Sequence, residues 1–194
     1  PRKEHLNVRR ARRDDLPFIK ELTLETVDQG ISVGRDISNE TVREVAAERM
    51  GDLDIMIARK RDYAILVAED GERRVGFLVL EFRNVEETTG EKQTLLYNMA
   101  VSPDYLGKRV DRILVAEAAR LSHRRGYKFM TARITASNER ALLAALRQGF
   151  EIERYQITMA CGPEGPQPLP GRTKEERAHD ISRLIRQRKM RKSP

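Results

Sequence analysis

The chain carries one cysteine, Cys161, no tryptophan and three histidines among 194 residues. A single thiol excludes an internal disulfide framework, and scattered histidines exclude a Cys/His metal centre, so no metal ligands are assigned. Aromatic residues make up only 5% while charged residues reach 35%. No apolar run approaches the ~18 residues of a membrane-spanning helix; the longest are short, such as YAILVA at 63–68. PRKEHLNVRR at the start is charged and has no hydrophobic signal region. The expectation is a cytoplasmic protein with no membrane partner.

Charge is plentiful but uneven. The net charge is +7, and Arg172–Pro194 holds nine Lys/Arg against three Asp/Glu, while the rest holds 28 against 27. The basic character therefore belongs to the tail, and a nucleic-acid or acidic-surface partner is expected only there. Ahead of it, CGPEGPQPLPGR at 161–172 packs four prolines and three glycines into twelve residues. Such a segment continues neither a helix nor a central strand and reads as a linker. The expected organisation is a domain over 1–160, a linker over 161–172 and a basic tail over 173–194. Ala178, Ile181, Leu184 and Ile185 recur at helical spacing in that tail, against the plainer reading of a frayed terminus.

Within the body, HLNVRRA (5–11) reads as a strand, and DDLPFIKELTLETVDQ as a helix capped by Asp14 or Asp15. A second helix is expected from Glu40 to Met50. YAILVAED and RRVGFLVLEFR flank Asp70-Gly71, a hairpin signal, and TLLYNMAV (94–101) is a third strand. Pro103 ends it. The helix that follows aligns Val110, Ile113, Leu114, Ala118 and Leu121 on one stripe and stops at Gly126. KFMTARIT (128–135) is a strand, Ser137 or Asn138 caps a helix from Glu139 to Gln148, and FEIERYQITMA is a final strand. The fold class is α/β, with antiparallel hairpins followed by a strand–helix–strand unit.

This order, with V-x-P-x-Y, A-S-N-x-x-A and G-F-E at its joints, resembles the GCN5-related N-acetyltransferases (GNAT), and among them the bacterial ribosomal-protein alanine acetyltransferases. The resemblance covers roughly 6–160. It implies a mixed, mostly antiparallel sheet with splayed central strands flanked by helices, and acetyl-CoA (CoA) as co-substrate in the splay. Met99 and Val101 would pair with the pantetheine amides. Backbone N–H groups of Gly107, Lys108, Arg109, Val110 and Arg112 would cradle the pyrophosphate at a helix N-terminus, and Asn138 would bond the pantetheine arm. Each has a plainer reading as well: Asn138 as an N-cap, Met99 and Val101 as strand core.

The chain departs from the family pattern at several points. Leu106, Arg109 and Asp111 stand at the three defining positions of the pyrophosphate loop, and Asp111 sets a negative charge beside an anion site. Ala145 replaces the family's tyrosine acid, and Arg133 replaces the glutamate base of the ribosomal-alanine group. Glu81 and Tyr155 are the stand-in catalytic candidates. The expected function is acetyl transfer to an amine of a small molecule, peptide or protein. The alternative is a catalytically degenerate binding or regulatory module of the same fold, with a basic tail that contacts nucleic acid or the ribosome. Oligomeric state is left open, a dimer included.

Overall fold

The computed structural model describes residues 6–32, 34–35, 37–171 and 173–190. The side chains of Leu184 and Ile185, expected on the tail helix's stripe, lie outside what it describes. Strand β1 (Leu6–Arg10) leads through a 3-10 turn into helix α1 (Leu16–Thr26), followed by α2 (Asn39–Met50) and α3 (Leu53–Ala58). Strands β2 (Tyr63–Asp70), β3 (Arg73–Val85) and β4 (Lys92–Val101) come next, then α4 (Val110–Arg124), β5 (Met130–Ala132) and α5 (Glu139–Arg147). A small hairpin, β6 (Ala160–Gly162) with β7 (Gly165–Gln167), lies inside the proline-rich segment. Helix α6 (Lys174–Met190) follows it, so the tail's spacing does mark a helix.

The main sheet has the order β1-β2-β3-β4-β5. Every neighbouring pair is antiparallel except β4 and β5, which run parallel. This mixed α/β arrangement is the one expected. β2 and β3 read as near-continuous apolar runs because helices cover both of their faces. Leu66, Leu78 and Leu80 point to α4, where Val110, Leu114 and Ala118 meet them. Ile65, Val67, Phe77 and Val79 point to the other face, against Ile19, Leu22, Met50 and Leu53 of α1–α3. Gly76 lets α4 approach: a Cβ there would come within 3.0 Å of both Val110 Cγ1 and the Ala100 carbonyl.

Four expectations change. Asp15, a candidate helix cap, is fully buried and makes no capping bond to α1. Its carboxylate accepts two hydrogen bonds from Arg9 (2.7 and 2.9 Å), one from Arg74 (2.5 Å) and one from the Arg12 amide (2.7 Å). Burial pushes this carboxyl up, but Arg9, the Arg12 amide and Arg74 outweigh it and hold it well below the usual carboxylate range. Helix α3, only six residues long, escaped the periodicity reading. The segment 161–172 is not extended throughout, since β6 and β7 fold within it. FEIERYQITMA is not a strand over 150–159. β5 offers only three paired residues as an edge. Arg154 instead ties the segment to the β3–β4 loop by an ion pair with Glu86 and a 2.8 Å bond to Thr88 Oγ1.

Candidate active site

The site begins with a fault in β4. Leu96, Met99 and Val101 all pack against the α4-side core, which regular alternation forbids for Leu96 and Met99. A register shift resolves it: Val79 pairs with Asn98 but Leu80 pairs with Leu96, leaving Tyr97 as an extra residue. Such a bulge bends its strand. β4 accordingly pairs with β5 only at Thr94–Leu96, and from Tyr97 onward that edge of β4 has no strand partner among the described residues.

Ser102 N–H donates to the Val75 carbonyl at 2.9 Å. Alternation of the antiparallel ladder then directs Ala100 and Asn98 backbone groups at β3, and those of Met99 and Val101 outward to the open edge. These are the two residues the sequence singled out for an extended ligand.

After β4, a 3-10 turn (Pro103–Tyr105) and residues 106–109 lead into α4. Tyr105 fixes the turn: its ring is buried, its hydroxyl donates to Asp70 Oδ2 at 2.8 Å, and Lys108 Nζ stands 4.4 Å over the ring. Gly107 has φ +81° and Arg109 φ +66°, the one positive φ outside glycine among the described residues. Arg109 thus holds the left-handed conformation natural to glycine. Its αL backbone starts α4, and the amides of Val110, Asp111 and Arg112 donate to no protein acceptor among the described residues, as a first helical turn dictates. The Arg109 and Arg112 side chains are exposed.

Asn138 caps α5, its Oδ1 accepting from Ala141 N–H at 3.1 Å, so its plainer role is filled, while its Nδ2 makes no hydrogen bond among the described residues. The two catalytic candidates lie in different environments. Glu81 is half-buried on β3 between Tyr63 of β2 and Leu95 of β4. Tyr155 is 72% exposed on the unpaired segment. Glu81 lies on the α1–α3 face near Tyr63, whose phenol is pushed up by burial and by the Glu81 and Asp62 charges, with Tyr97 also contributing. The sequence reading singled out neither Tyr63 nor Tyr97, whose juxtaposition depends on how β2, β3 and β4 pair. Arg133 is exposed and Ala145 half-buried, and neither side chain can serve as a general acid or base.

On the α1–α3 side, a groove of about 650 Å³ lies between the loop after α1 (Ile31, Ser32, Arg35) and Thr158, Met159 and Leu169. Thr135 and Ser137, beyond β5, donate to the Gly30 and Ile31 carbonyls at 2.7 and 3.3 Å, joining this loop to the splayed edge. The proline-rich segment therefore contributes a wall.

A strand edge opened by a bulge beside a helix N-terminus suits an extended ligand that carries an anionic group. The sequence model of the acetyltransferase (GNAT) family matches residues 34–150, and the chain belongs to that family. Among solved structures it is similar to the aminoglycoside N-acetyltransferase AAC(6')-Iy in complex with CoA, at 16% identity and TM-score 0.62, over 82% of this chain and 97% of that one. It is also similar to the PaiA N-acetyltransferase of Thermoplasma acidophilum in complex with coenzyme A (18%, TM-score 0.66, 78% and 92%). A transcriptional regulator from Bacillus halodurans matches as well (17%, TM-score 0.61, 80% and 99%). No curated protein matches the chain. At these identities the structural likeness establishes the fold.

Proposed function

We propose that the protein is an acetyl-CoA-dependent N-acetyltransferase that acetylates an amine of a small molecule, peptide or protein. The observation that carries this reading is Arg109 at φ +66°: the turn keeps the backbone of a phosphate cradle although its glycine is gone. A left-handed arginine costs about 1–2 kcal/mol relative to an ordinary conformation, and a ligand that uses the turn accounts for keeping it.

The N–H groups of Gly107, Arg109, Val110 and Arg112 hold the pyrophosphate, and Lys108, Arg109 and Arg112 add side-chain charge. Met99 and Val101 bond the pantetheine amides from the open edge, and Asn138 Nδ2 reaches the same arm. Acetyl-CoA supplies an activated acetyl thioester. The groove by Ile31 and Met159 receives the acceptor and Glu81 takes its proton, directly or through water; Tyr155 is the candidate donor to the departing thiolate. Much of the acceleration comes from holding amine and thioester together. The resemblance to ribosomal-protein alanine acetyltransferases puts peptide and protein amines among the acceptors to test first.

Thiol release from acetyl-CoA over a panel of amines and peptides tests this reading. Glu81→Gln should lower kcat by about 10²-fold or more if Glu81 is the base, and Tyr155→Phe should lower it comparably if Tyr155 is the acid. Activity unchanged in both variants would remove both assignments.

Ala145 and Arg133 at the catalytic positions favour a second reading, a module of the same fold that binds CoA or a partner without turnover. It predicts CoA binding with no thiol release from any acceptor. The basic tail is proposed to contact nucleic acid or an acidic surface under either reading.

A further inference from the structure

Asp111 stands where its charge should repel a bound phosphate. Its side chain is engaged elsewhere: Oδ2 accepts a hydrogen bond from Gln148 Nε2 at 2.9 Å. Gln148 is the C-cap residue of α5, and its Oε1 is buried with no partner among the described residues. The setting gives this bond its weight. α5 is strongly amphipathic in sequence yet has no fully buried residue: Ala141, Leu142, Ala144 and Ala145 are half-buried, and Leu143 and Leu146 are exposed. Its packing is shallow, with Phe150 beyond the C-cap resting on the α4-side core, so its polar bonds matter to its placement. Its N-terminal approach is held by Thr135 and Ser137 on the loop after α1, on one face of the sheet. Its C-terminal end meets the first turn of α4 through Gln148. α5 is thus tied at one end to the loop after α1 and at the other to the turn where α4 begins. Among the described residues, Asp111–Gln148 is the only side-chain hydrogen bond that joins α5 and its C-cap to α4.

We propose that Asp111 and Gln148 form a latch that sets α5 against the first turn of α4, making Asp111 a positioning residue of the CoA cleft rather than a charge that repels the ligand. The Asp111 carboxylate is stabilised by the hydrogen bond from the Gln148 amide, and the first-turn carboxylate also complements the helix N-terminus. Loss of the latch frees α5, and with it Asn138, from the arrangement that the pantetheine arm needs. Freezing it again on binding weakens affinity. The inference rests on CoA binding at this turn.

The test separates charge from hydrogen bonding. Asp111→Asn removes the charge but keeps an oxygen that accepts from Gln148 Nε2; Asp111→Ala removes both; Gln148→Met removes the donor. Calorimetric titration with CoA should show Asp111→Ala and Gln148→Met each weakened about tenfold, as expected for a bond to a charged group. Asp111→Asn should stay within about threefold of the parent, and the double variant Asp111→Ala/Gln148→Met should be no weaker than either single one. Hydrogen exchange without ligand should show α5 amides losing protection in Asp111→Ala and keeping it in Asp111→Asn. Tighter CoA binding by both Asp111→Asn and Asp111→Ala would overturn the latch in favour of repulsion. So would equal α5 exchange in every variant. If the parent protein binds no CoA, the functional reading fails, and α5 exchange alone decides whether the latch exists.

Discussion

The sheet with α4 and the region that follows α4 are built on different physical terms. In the first, Phe77, Leu78, Leu80, Val110 and Leu114 are fully buried, and Asp15, the one buried carboxylate among the described residues, is surrounded by donors. In the second, no residue of α5 is fully buried, residues 151–159 are exposed throughout, and Ile157 is 91% exposed. The packed half carries the parts proposed to hold a constant ligand: the bulged strand, the turn and the N-terminus of α4. The loosely held half, with the loop after α1, borders the groove proposed for the acceptor. On that proposal, rigidity is placed where the ligand does not vary, and the acceptor side is secured by a few polar bonds.

The largest way to break this contrast is to attack the packed half at its polar centre. Asp15→Ala leaves Arg9 and Arg74 facing a buried void and should cost about 3–5 kcal/mol in denaturant unfolding. The same network sets an acid limit. Because the Asp15 carboxyl is depressed in the folded state, its contribution is complete above its unfolded value of about 4 and is lost as pH falls below it. Stability of the parent should therefore drop on acidification below about pH 4, and Asp15→Asn should flatten that drop.

A second perturbation moves the cradle without touching it. Gly76→Ala places a methyl group 3.0 Å from Val110 and Ala100 atoms, and should cost about 1–3 kcal/mol by displacing α4. CoA affinity should weaken with it. Arg109→Gly acts on the turn directly. Relief of the left-handed arginine should stabilise the free protein by about 0.5–1 kcal/mol, while loss of a guanidinium should weaken CoA several-fold, two changes of opposite sign. A gain in affinity instead would mean that the side chain obstructs the turn.

The smallest effect is expected at the tail. Deletion of 173–194 should leave the thermal midpoint of the body within about 1 °C, because α6 follows a proline- and glycine-rich segment and Ile181 is exposed. If nucleic-acid binding resides there, it should vanish with the deletion and weaken steeply with salt beforehand. Binding that survives the cut would assign the contact to the body.

The two halves also differed in how far they could be read from sequence. Periodicity located α4 through Val110, Leu114, Ala118 and Leu121, and Gly71 marked the β2–β3 turn, where it has φ +62°. These are local signals, enforced by burial on one face or by a backbone angle. The Tyr97 bulge was harder, because it depends on pairing between Val79 and Asn98 rather than on β4 alone. Asp15 resembled a cap, since sequence did not show Arg9 and Arg74 converging on it from two strands. Residues 150–159 have a strand's composition, yet a strand also needs a partner edge, and three-residue β5 does not provide one. Asp111 likewise read as a liability until Gln148, 37 positions away, stood beside it.

The central claim, that the turn before α4 and the open edge of β4 hold acetyl-CoA, is tested most directly by calorimetric titration of the full chain, with thermal unfolding followed in parallel. Saturable binding to one site is predicted, together with stabilisation of about 2.7 kcal/mol at a hundredfold excess over Kd. Absence of both heat and thermal shift at millimolar acetyl-CoA would contradict it.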